Sequence, residues 1–210
     1  MRLLAPLGLV VALLTCSPGC RDRGGTDLLP PAHYEPEASV RAAFATFDKN
    51  GNGTLEGAEL DACPALKAAL RSLDSNRDGK LSRDELMARF GQYARGGTET
   101  VSVVGVTVRW NGSLLAGALV TLTPEPFMGE GFKPASGTTD DQGFAEMRVQ
   151  GESRSGVPAG FYQITVSKRG GSGGEMLPAR YNTRTTLGRE VYEGGRGSPG
   201  SFNLDLTGKR

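Results

Sequence analysis

A twelve-residue pattern occurs twice between Asp48 and Glu85 and restricts the local fold more than any other segment of the chain. The first copy, residues 48–59, reads DKNGNGTLEGAE, and the second, residues 74–85, reads DSNRDGKLSRDE. Both carry oxygen-bearing side chains at positions one, three and five, glycine at six, an apolar residue at eight and glutamate at twelve. The spacing predicts two loops that turn sharply at the glycine, since glycine accepts a positive φ that other residues resist.

This spacing resembles the calcium loop of the EF-hand family, in which a hard cation takes six to eight oxygen ligands from a short wrapped segment. The resemblance implies two Ca²⁺ sites placed back to back, joined by short strands at Leu55 and Leu81. The implied side-chain ligands are Asp48, Asn50, Asn52 and Glu59 in the first loop and Asp74, Asn76, Asp78 and Glu85 in the second. The Thr54 and Lys80 backbone carbonyls are further ligands, and Glu56 and Ser82 bind directly or through water. The competing interpretation is two solvated Asp/Asn/Gly turns.

Apolar residues at helical spacing flank both loops. Val40, Phe44 and Phe47 share one face of residues 37–47, which leads directly into the first loop. We expect an exiting helix from near Glu56 that Pro64 cuts short. The remaining helices are expected at 65–73 and from the second loop to about Tyr93, with Ser82 as a helix cap.

We expect the apolar faces of the helix–loop–helix pair, residues 37–95, to form a core rather than a groove for a partner. Sensors that open a groove are rich in methionine, and Met87 is the only methionine of this pair.

The amino terminus predicts export. Two residues with one positive charge precede an apolar run over 3–14, which is shorter than the ~20 residues that a membrane-spanning helix needs. Cys16 and Cys20 follow, and the segment resembles the lipobox of bacterial lipoproteins, with either cysteine as the lipidated residue. A cleaved secretory signal is the alternative. We therefore expect a signal segment over 1–20 and a flexible tether over 21–36.

Composition argues against an enzyme. The chain has 210 residues, a net charge of +1, one histidine and three cysteines. His33 lies in the expected tether, where partners for catalysis are absent, and Cys63 beside Pro64 is expected to be a small buried apolar side chain.

The pairing of the cysteines depends on which of them is lipidated. If Cys16 carries lipid, Cys20 and Cys63 can pair in an oxidising compartment. The near-neutral charge gives no indication of nucleic-acid binding.

After residues 96–99 the pattern changes to that of β-strands. Valine alternates with other residues over 100–110, a second strand is expected over 116–123, and 160–168 alternate again. A turn is expected at 140–143, with further segments over 177–190 and 201–206. Short strands separated by Gly and Pro turns predict an antiparallel sandwich. Whether Trp110 is buried or exposed stays open at this point.

The runs VVGVTVRWNGSLLAGALVTLTP, GTTDDQGFAEM and VPAGFYQITV resemble the carboxypeptidase-regulatory-like domain. The later LPARYNTRTTLGREVYEGG and FNLDL are similar to the end of this domain in small bacterial lipoproteins. The resemblance implies a transthyretin-like sandwich over 100–210, with structural roles for Gly143 and Gly160 and no reaction of its own. Asp140 and Asp141 are expected to make local turn hydrogen bonds rather than a third metal site.

Together these patterns predict an α+β chain of two parts, a compact EF-hand pair followed by an antiparallel β-sandwich. The expected function is that of a calcium-binding, non-enzymatic envelope lipoprotein in which calcium is mainly structural. The alternative is a calcium-responsive regulatory or adhesion protein. The expected partners are calcium, a membrane reached through a lipid anchor, and an envelope protein or polysaccharide, with no nucleic acid. A hydrolase is disfavoured because the chain lacks a Ser–His or Cys–His pair.

Overall fold

A computed structural model describes residues 35–95, 101–152, 156–171, 173–192 and 200–208. The predicted signal segment with Cys16 and Cys20, most of the tether with His33, the joint at 96–99, and Thr100 at the start of the first expected strand lie outside the described residues. Within the described part, a helical region comes first and a β-rich region follows, as the α+β prediction requires. None of the described helices combines the length and the apolar character needed to cross a membrane.

Four α-helices and two short strands make up the helical region. The helices are α1 (Pro36–Phe47), α2 (Ala58–Asp61), α3 (Pro64–Leu73) and α4 (Arg83–Arg95), and the strands are β1 (Thr54–Leu55) and β2 (Leu81–Ser82). Proline stands in the first turn of both α1 and α3, where its missing N–H costs nothing. The predicted apolar face of α1 is confirmed, since Val40, Phe44 and Phe47 are all buried.

The exiting helix of the first loop begins later than predicted. It starts at Ala58 rather than near Glu56, because Gly57 has φ 47° and ψ −118°, which is outside the helical region. The helix is short, as the position of Pro64 predicts, and α3 follows after only two residues.

The β-rich region contains two larger sheets that share one core. Its strands are β3 (Val101–Ser102), β4 (Gly105–Trp110), β5 (Ser113–Leu114), β6 (Leu119–Pro124), β7 (Ala135–Thr138), β8 (Phe144–Glu146), β9 (Arg148–Val149), β10 (Val157–Pro158), β11 (Gly160–Ser167), β12 (Leu187–Val191) and β13 (Ser201–Leu206). The five-stranded sheet has the order β12-β11-β6-β7-β9, and the other has the order β13-β4-β5 with β8 also paired to β4. A small β3–β10 pair lies beside them.

The predicted strand over 160–168 becomes the centre of the five-stranded sheet. β11 pairs antiparallel with β6 on one side and with β12 on the other, so that Ile164 stands opposite Leu122 and Leu187. Gly160 begins this strand as expected, and a Cβ there would lie 2.7 Å from the Met128 side chain. Trp110, whose environment the sequence leaves open, is buried, with 5% of its surface exposed.

Three expectations for the strands need correction. The strand expected over 100–110 is interrupted at Val103 and Val104, and its two halves pair with different partners. The strand expected over 116–123 begins at Leu119, because Gly117 turns the chain with φ 62°. Only the last part of 177–190 is a strand, after a 3₁₀ turn at Ala179–Tyr181.

The sheets are not wholly antiparallel, because β13 runs parallel to β4. Ser201 stands opposite Gly105 and Leu206 opposite Trp110. Many other strands lie between β4 and β13 in the chain, so no hairpin joins the two and forces them to be antiparallel, and a parallel pair needs such a long connection. The alternation of β13 still buries its apolar residues, as the period of two predicts.

The second core joins the helical and β-rich regions. Phe127, Met128, Phe132 and Phe161 of the β-rich region pack with the buried residues of all four helices. Among these aromatic rings, Phe90 of α4 meets Phe161 and Phe127 edge to face at centroid distances of 5.8 and 6.1 Å. The apolar face of the helical pair is therefore core, as predicted, and the β-rich region completes it.

Candidate metal centre

The first loop is held together by hydrogen bonds to its first residue. Asp48 accepts from the Gly51 N–H at 2.7 Å and from the Gly53 N–H at 3.0 Å, one on each carboxylate oxygen. Gly53 has φ 79°, which confirms the predicted sharp turn at position six. The side chain at position one therefore already faces the inside of the loop.

Glu59 closes the first loop from the beginning of α2. Its Oε1 accepts from the backbone N–H groups of Lys49 at 2.9 Å and Asn50 at 3.2 Å, and Oε2 accepts from that of Glu56 at 3.3 Å. The residue is 8% exposed. The carboxylate at position twelve thus reaches back across the loop to positions two and three.

The second loop repeats this arrangement. Asp74 accepts from the Gly79 N–H at 2.9 Å, and Gly79 also has φ 79°. Glu85 accepts from the backbone N–H groups of Ser75 and Ser82, each at 2.9 Å. Two segments of different sequence therefore share one backbone design.

The two loops lie side by side through short antiparallel strands, β1 (Thr54–Leu55) and β2 (Leu81–Ser82). Leu55 pairs with Leu81, and both side chains are completely buried. The back-to-back pairing predicted from the apolar residue at position eight is therefore present. It places Thr54, at position seven of the first loop, opposite Ser82, at position nine of the second.

Position nine differs between the loops. Glu56 accepts a hydrogen bond from the Asn52 side chain at 2.9 Å and forms an ion pair with Lys80 of the other loop. The hydrogen bond from Lys80 lowers the pKa of Glu56. Ser82 instead caps α4: its hydroxyl donates to Glu85 at 2.8 Å and accepts from the Glu85 N–H at 3.3 Å. The predicted cap at Ser82 is confirmed.

The electrostatics of Glu85 favour its charged form. Burial alone would raise the pKa of Glu85, but hydrogen bonds from Ser82 and Ser75 outweigh it and lower the pKa to about 2. A carboxylate that stays ionised at neutral pH is the form that binds a cation.

The donors of both loops suit calcium chemically, because oxygen is the only ligand atom that they offer and hard divalent cations prefer oxygen. Across the described ranges, no group of three or more His, Cys, Asp and Glu side chains is gathered as a metal site. The loops depend also on asparagine and backbone carbonyls, and several of their carboxylate oxygens accept backbone N–H groups. A bound Ca²⁺ would be held by Asp48, Asn50, Asn52 and Glu59, and by Asp74, Asn76, Asp78 and Glu85, with the Thr54 and Lys80 carbonyls.

One feature of the loops is not predicted by the sequence pattern. Position four also has a positive φ, 70° at Gly51 and 62° at Arg77. Gly51 was a visible signal for this conformation, whereas an arginine gives none.

The sequence patterns also do not predict which residues of the β-rich region contact the helical pair. A Cβ at Gly188 of β12 would lie 2.2 Å from the backbone of Pro64 and Ala65, so helix α3 begins directly against this glycine. Glu190 of β12 pairs with Arg89 of α4, with 3.1 Å between Nη1 and Oε1. Burial raises the pKa of Glu190, although Tyr93 and Arg89 act in the opposite direction.

Cys63 does not have the features of a nucleophile. Its thiol is free and completely buried, and burial raises its pKa well above the usual range. It contacts the carboxyl of Glu125, a residue that is 5% exposed. The interpretation of Cys63 as a small buried side chain is confirmed.

Asp140 makes the local turn hydrogen bonds that were predicted. Its Oδ1 accepts from the backbone N–H groups of Gln142 at 2.8 Å and Phe144 at 3.0 Å, and Gly143 has φ 66°. Asp141 is exposed. These turn hydrogen bonds account for the Asp140 carboxylate.

Comparison with known proteins identifies the family that the loops resemble. The EF-hand family model matches residues 40–63 and 66–90. Two matches in tandem, over the helix–loop–helix segments described above, indicate calcium binding. No curated protein matches the chain significantly.

Two solved structures resemble part of the chain. They are crystal structures of the major pilin subunit of Bacillus cereus, one of them of a substituted form, and both are 17% identical to the chain. They cover 51% of this chain, which spans 30% and 29% of the pilin chains, and the TM-scores are 0.31 and 0.30. Scores this low support no conclusion about fold or function.

Proposed function

We propose that the chain is a calcium-binding, non-enzymatic protein of the cell envelope, anchored by lipid at Cys16 or Cys20. In this proposal the β-rich region is a transthyretin-like sandwich that binds or scaffolds an envelope protein or polysaccharide, and calcium is mainly structural. The shared core is the observation that supports a structural role for calcium. The helices that flank both loops pack against the β-rich region and do not leave their apolar faces open.

The packing supports a structural role for calcium. EF-hand pairs that act as sensors expose an apolar groove when they bind calcium. Here Phe127, Met128 and Phe132 of the β-rich region already cover the corresponding face, and each is at most 7% exposed. Outside the cytoplasm calcium is commonly plentiful, so loops of modest affinity would stay filled.

The non-enzymatic assignment is supported by the chemistry of the described residues. The Cys63 thiol is buried and held protonated, and Asp140 is engaged in its turn. The single histidine of the chain, His33, lies in the segment that the sequence predicts to be a tether.

Thermal unfolding with calcium and with EDTA tests the structural role. Binding to the folded state alone adds about 2.7 kcal/mol at a hundredfold excess of ligand over Kd. We therefore expect a higher melting temperature in calcium than in EDTA. A double variant, Glu59→Gln with Glu85→Gln, should lose this difference, while magnesium alone should produce a smaller one. An equal melting temperature in calcium and in EDTA would contradict the proposal.

The anchor is tested separately by mass spectrometry of the amino terminus after expression in a bacterium. We expect a diacylated cysteine, with Cys16→Ala and Cys20→Ala showing which residue carries it. An unprocessed amino terminus would refute the envelope assignment without affecting calcium binding.

A further inference from the structure

Glu190 of β12 is held by residues from both helices that flank the second loop. On the α4 side, Arg89 Nη1 lies 3.1 Å from Oε1, and the Tyr93 hydroxyl donates to the same oxygen. On the α3 side, the Ser72 hydroxyl lies 3.3 Å from Oε2. The Arg89 and Glu190 side chains are only 10% and 11% exposed, so water screens their attraction less than at an open surface.

These contacts lie close to the loop in sequence. Ser72 stands two residues before Asp74, and Arg89 stands one helical turn after Glu85. Arg89 also donates from Nη2 to the Ser72 carbonyl at 3.0 Å, so one guanidinium joins the end of α3 to the early turns of α4. Glu190 orients that guanidinium from the β-rich region.

The close approach of the two backbones also constrains how α3 packs against β12. Gly188 and Glu190 lie two residues apart and so share one face of the strand. At Gly188 the backbone of Pro64 and Ala65 approaches too closely for any side chain. At Glu190 the carboxylate meets the other end of the helix, at Ser72. One strand thus fixes α3 at both ends.

The first loop is attached differently. Phe47, the residue before Asp48, packs edge to face on Phe127 with 6.2 Å between ring centroids. This contact is apolar and involves the entering helix. A substitution at Glu190 is therefore expected to affect the second loop much more than the first.

We propose that Glu190 is a positioning residue for calcium binding at the second loop, through which the β-rich region sets the affinity of that loop. The inference rests on the proposed calcium-binding function. Asp74 and Glu85 can contact the same ion only if the ends of α3 and α4 are held at the correct separation. Fixing that separation in advance lowers the ordering cost of binding. By linkage, calcium in the second loop strengthens the contact between α3 and β12 by the same factor.

The test is calcium titration of the full chain by calorimetry in two backgrounds. Glu59→Gln disables the first loop, so that the titration reports the second, and Glu85→Gln does the converse. Glu190→Gln keeps the volume of the side chain and removes its charge. In the Glu59→Gln background we expect Glu190→Gln to weaken binding by about 5-fold or more. In the Glu85→Gln background we expect little change.

Glu146→Gln is the matched control, because Glu146 is a strand carboxylate that pairs with Arg148 within the β-rich region. It should leave both affinities unchanged. Equal affinity of the second loop with and without Glu190→Gln would overturn the inference alone. Absence of calcium binding in both parent backgrounds would overturn the proposed function as well, which distinguishes the two failures.

A second measurement separates positioning from a general loss of stability. If Glu190 only stabilised the fold, Glu190→Gln would lower the melting temperature equally in calcium and in EDTA. The inference predicts that the gain in melting temperature on adding calcium becomes smaller. It also predicts that calcium slows hydrogen exchange in β11 and β12 of the unsubstituted chain, and that Glu190→Gln abolishes this effect. An unchanged effect of calcium on exchange in the variant would contradict it.

Discussion

Asp78 in the second loop occupies the position that Asn52 occupies in the first. At positions one, three, five and twelve the second loop therefore offers three carboxylates, against two in the first, whose further carboxylate, Glu56, is paired with Lys80. The number of ligand charges is a main determinant of calcium affinity. We expect the second loop to fill at the lower calcium concentration.

Asp78→Asn gives the second loop the ligand charge of the first. We predict that its affinity falls about tenfold, which is 1.4 kcal/mol. Calorimetric titration of the Glu59→Gln background measures this effect. Asp84→Asn, an exposed residue in the first turn of α4 outside the ligand set, is the matched control and should change little. An unchanged affinity in Asp78→Asn would refute the ranking of the loops.

Glu125 gives a prediction about pH. Burial raises the pKa of its carboxyl, and Oε1 has no hydrogen-bond partner within the described part of the chain. The folded state therefore binds the proton more tightly than the unfolded state. The free energy of unfolding contributed by this residue falls as the pH rises from about 4.5, the ordinary value, through the raised value.

Glu125→Gln replaces the carboxyl with a neutral amide of similar shape. We predict that the variant is more stable than the unsubstituted chain at pH 7 to 8 and that the difference shrinks toward pH 4.5. Urea denaturation in EDTA across this range measures it. A difference that is constant with pH would show that Glu125 does not titrate in this way.

The ligand residues were predictable because their spacing is local and the loop geometry follows from it. Position four of the second loop was not, because Arg77 adopts φ 62° without a glycine to indicate it. Glu190 and Gly188 were unpredictable for another reason. Their roles depend on a helix about a hundred residues earlier in the chain, and no periodic pattern reports such a contact.

Among the elements, α1 and β11 follow from hydrophobic period, and the paired loop strands follow from the apolar residue at position eight of each loop. The parallel pairing of β13 with β4 does not, since alternation buries the same residues in either direction. The short 3₁₀ turn Pro126–Met128 is a similar case: it follows β6 and presents two apolar side chains, Phe127 and Met128, to the helices.

Phe127→Ala tests this turn as the contact between regions. Its ring lies within 6.2 Å, centroid to centroid, of those of Phe47, Phe90 and Phe161. Truncating a buried phenylalanine costs about 3–5 kcal/mol. We predict a loss of this size in urea denaturation. Phe144→Ala, on a strand and 39% exposed, is the control and should cost far less. Similar losses for both variants would argue against a special role for the turn.

At the scale of the whole molecule, the shared core predicts that the helical and β-rich regions unfold together. Trp110 is the only tryptophan in the chain and is buried in the β-rich region, so its fluorescence reports on that region. Far-UV circular dichroism at the helical band reports on the other. We predict coincident transitions and a shift of the Trp110 transition by calcium. Two separate transitions, with the Trp110 signal unaffected by calcium, would show independent domains.

Titration of Ca²⁺ into the EDTA-stripped chain, followed by calorimetry and native mass spectrometry, measures directly whether both loops bind calcium. We predict two calcium ions per chain. The Glu59→Gln and Glu85→Gln variants should each lose one ion, and the double variant should lose both. No heat of binding and no added mass in the unsubstituted chain would contradict the central claim that these loops hold calcium.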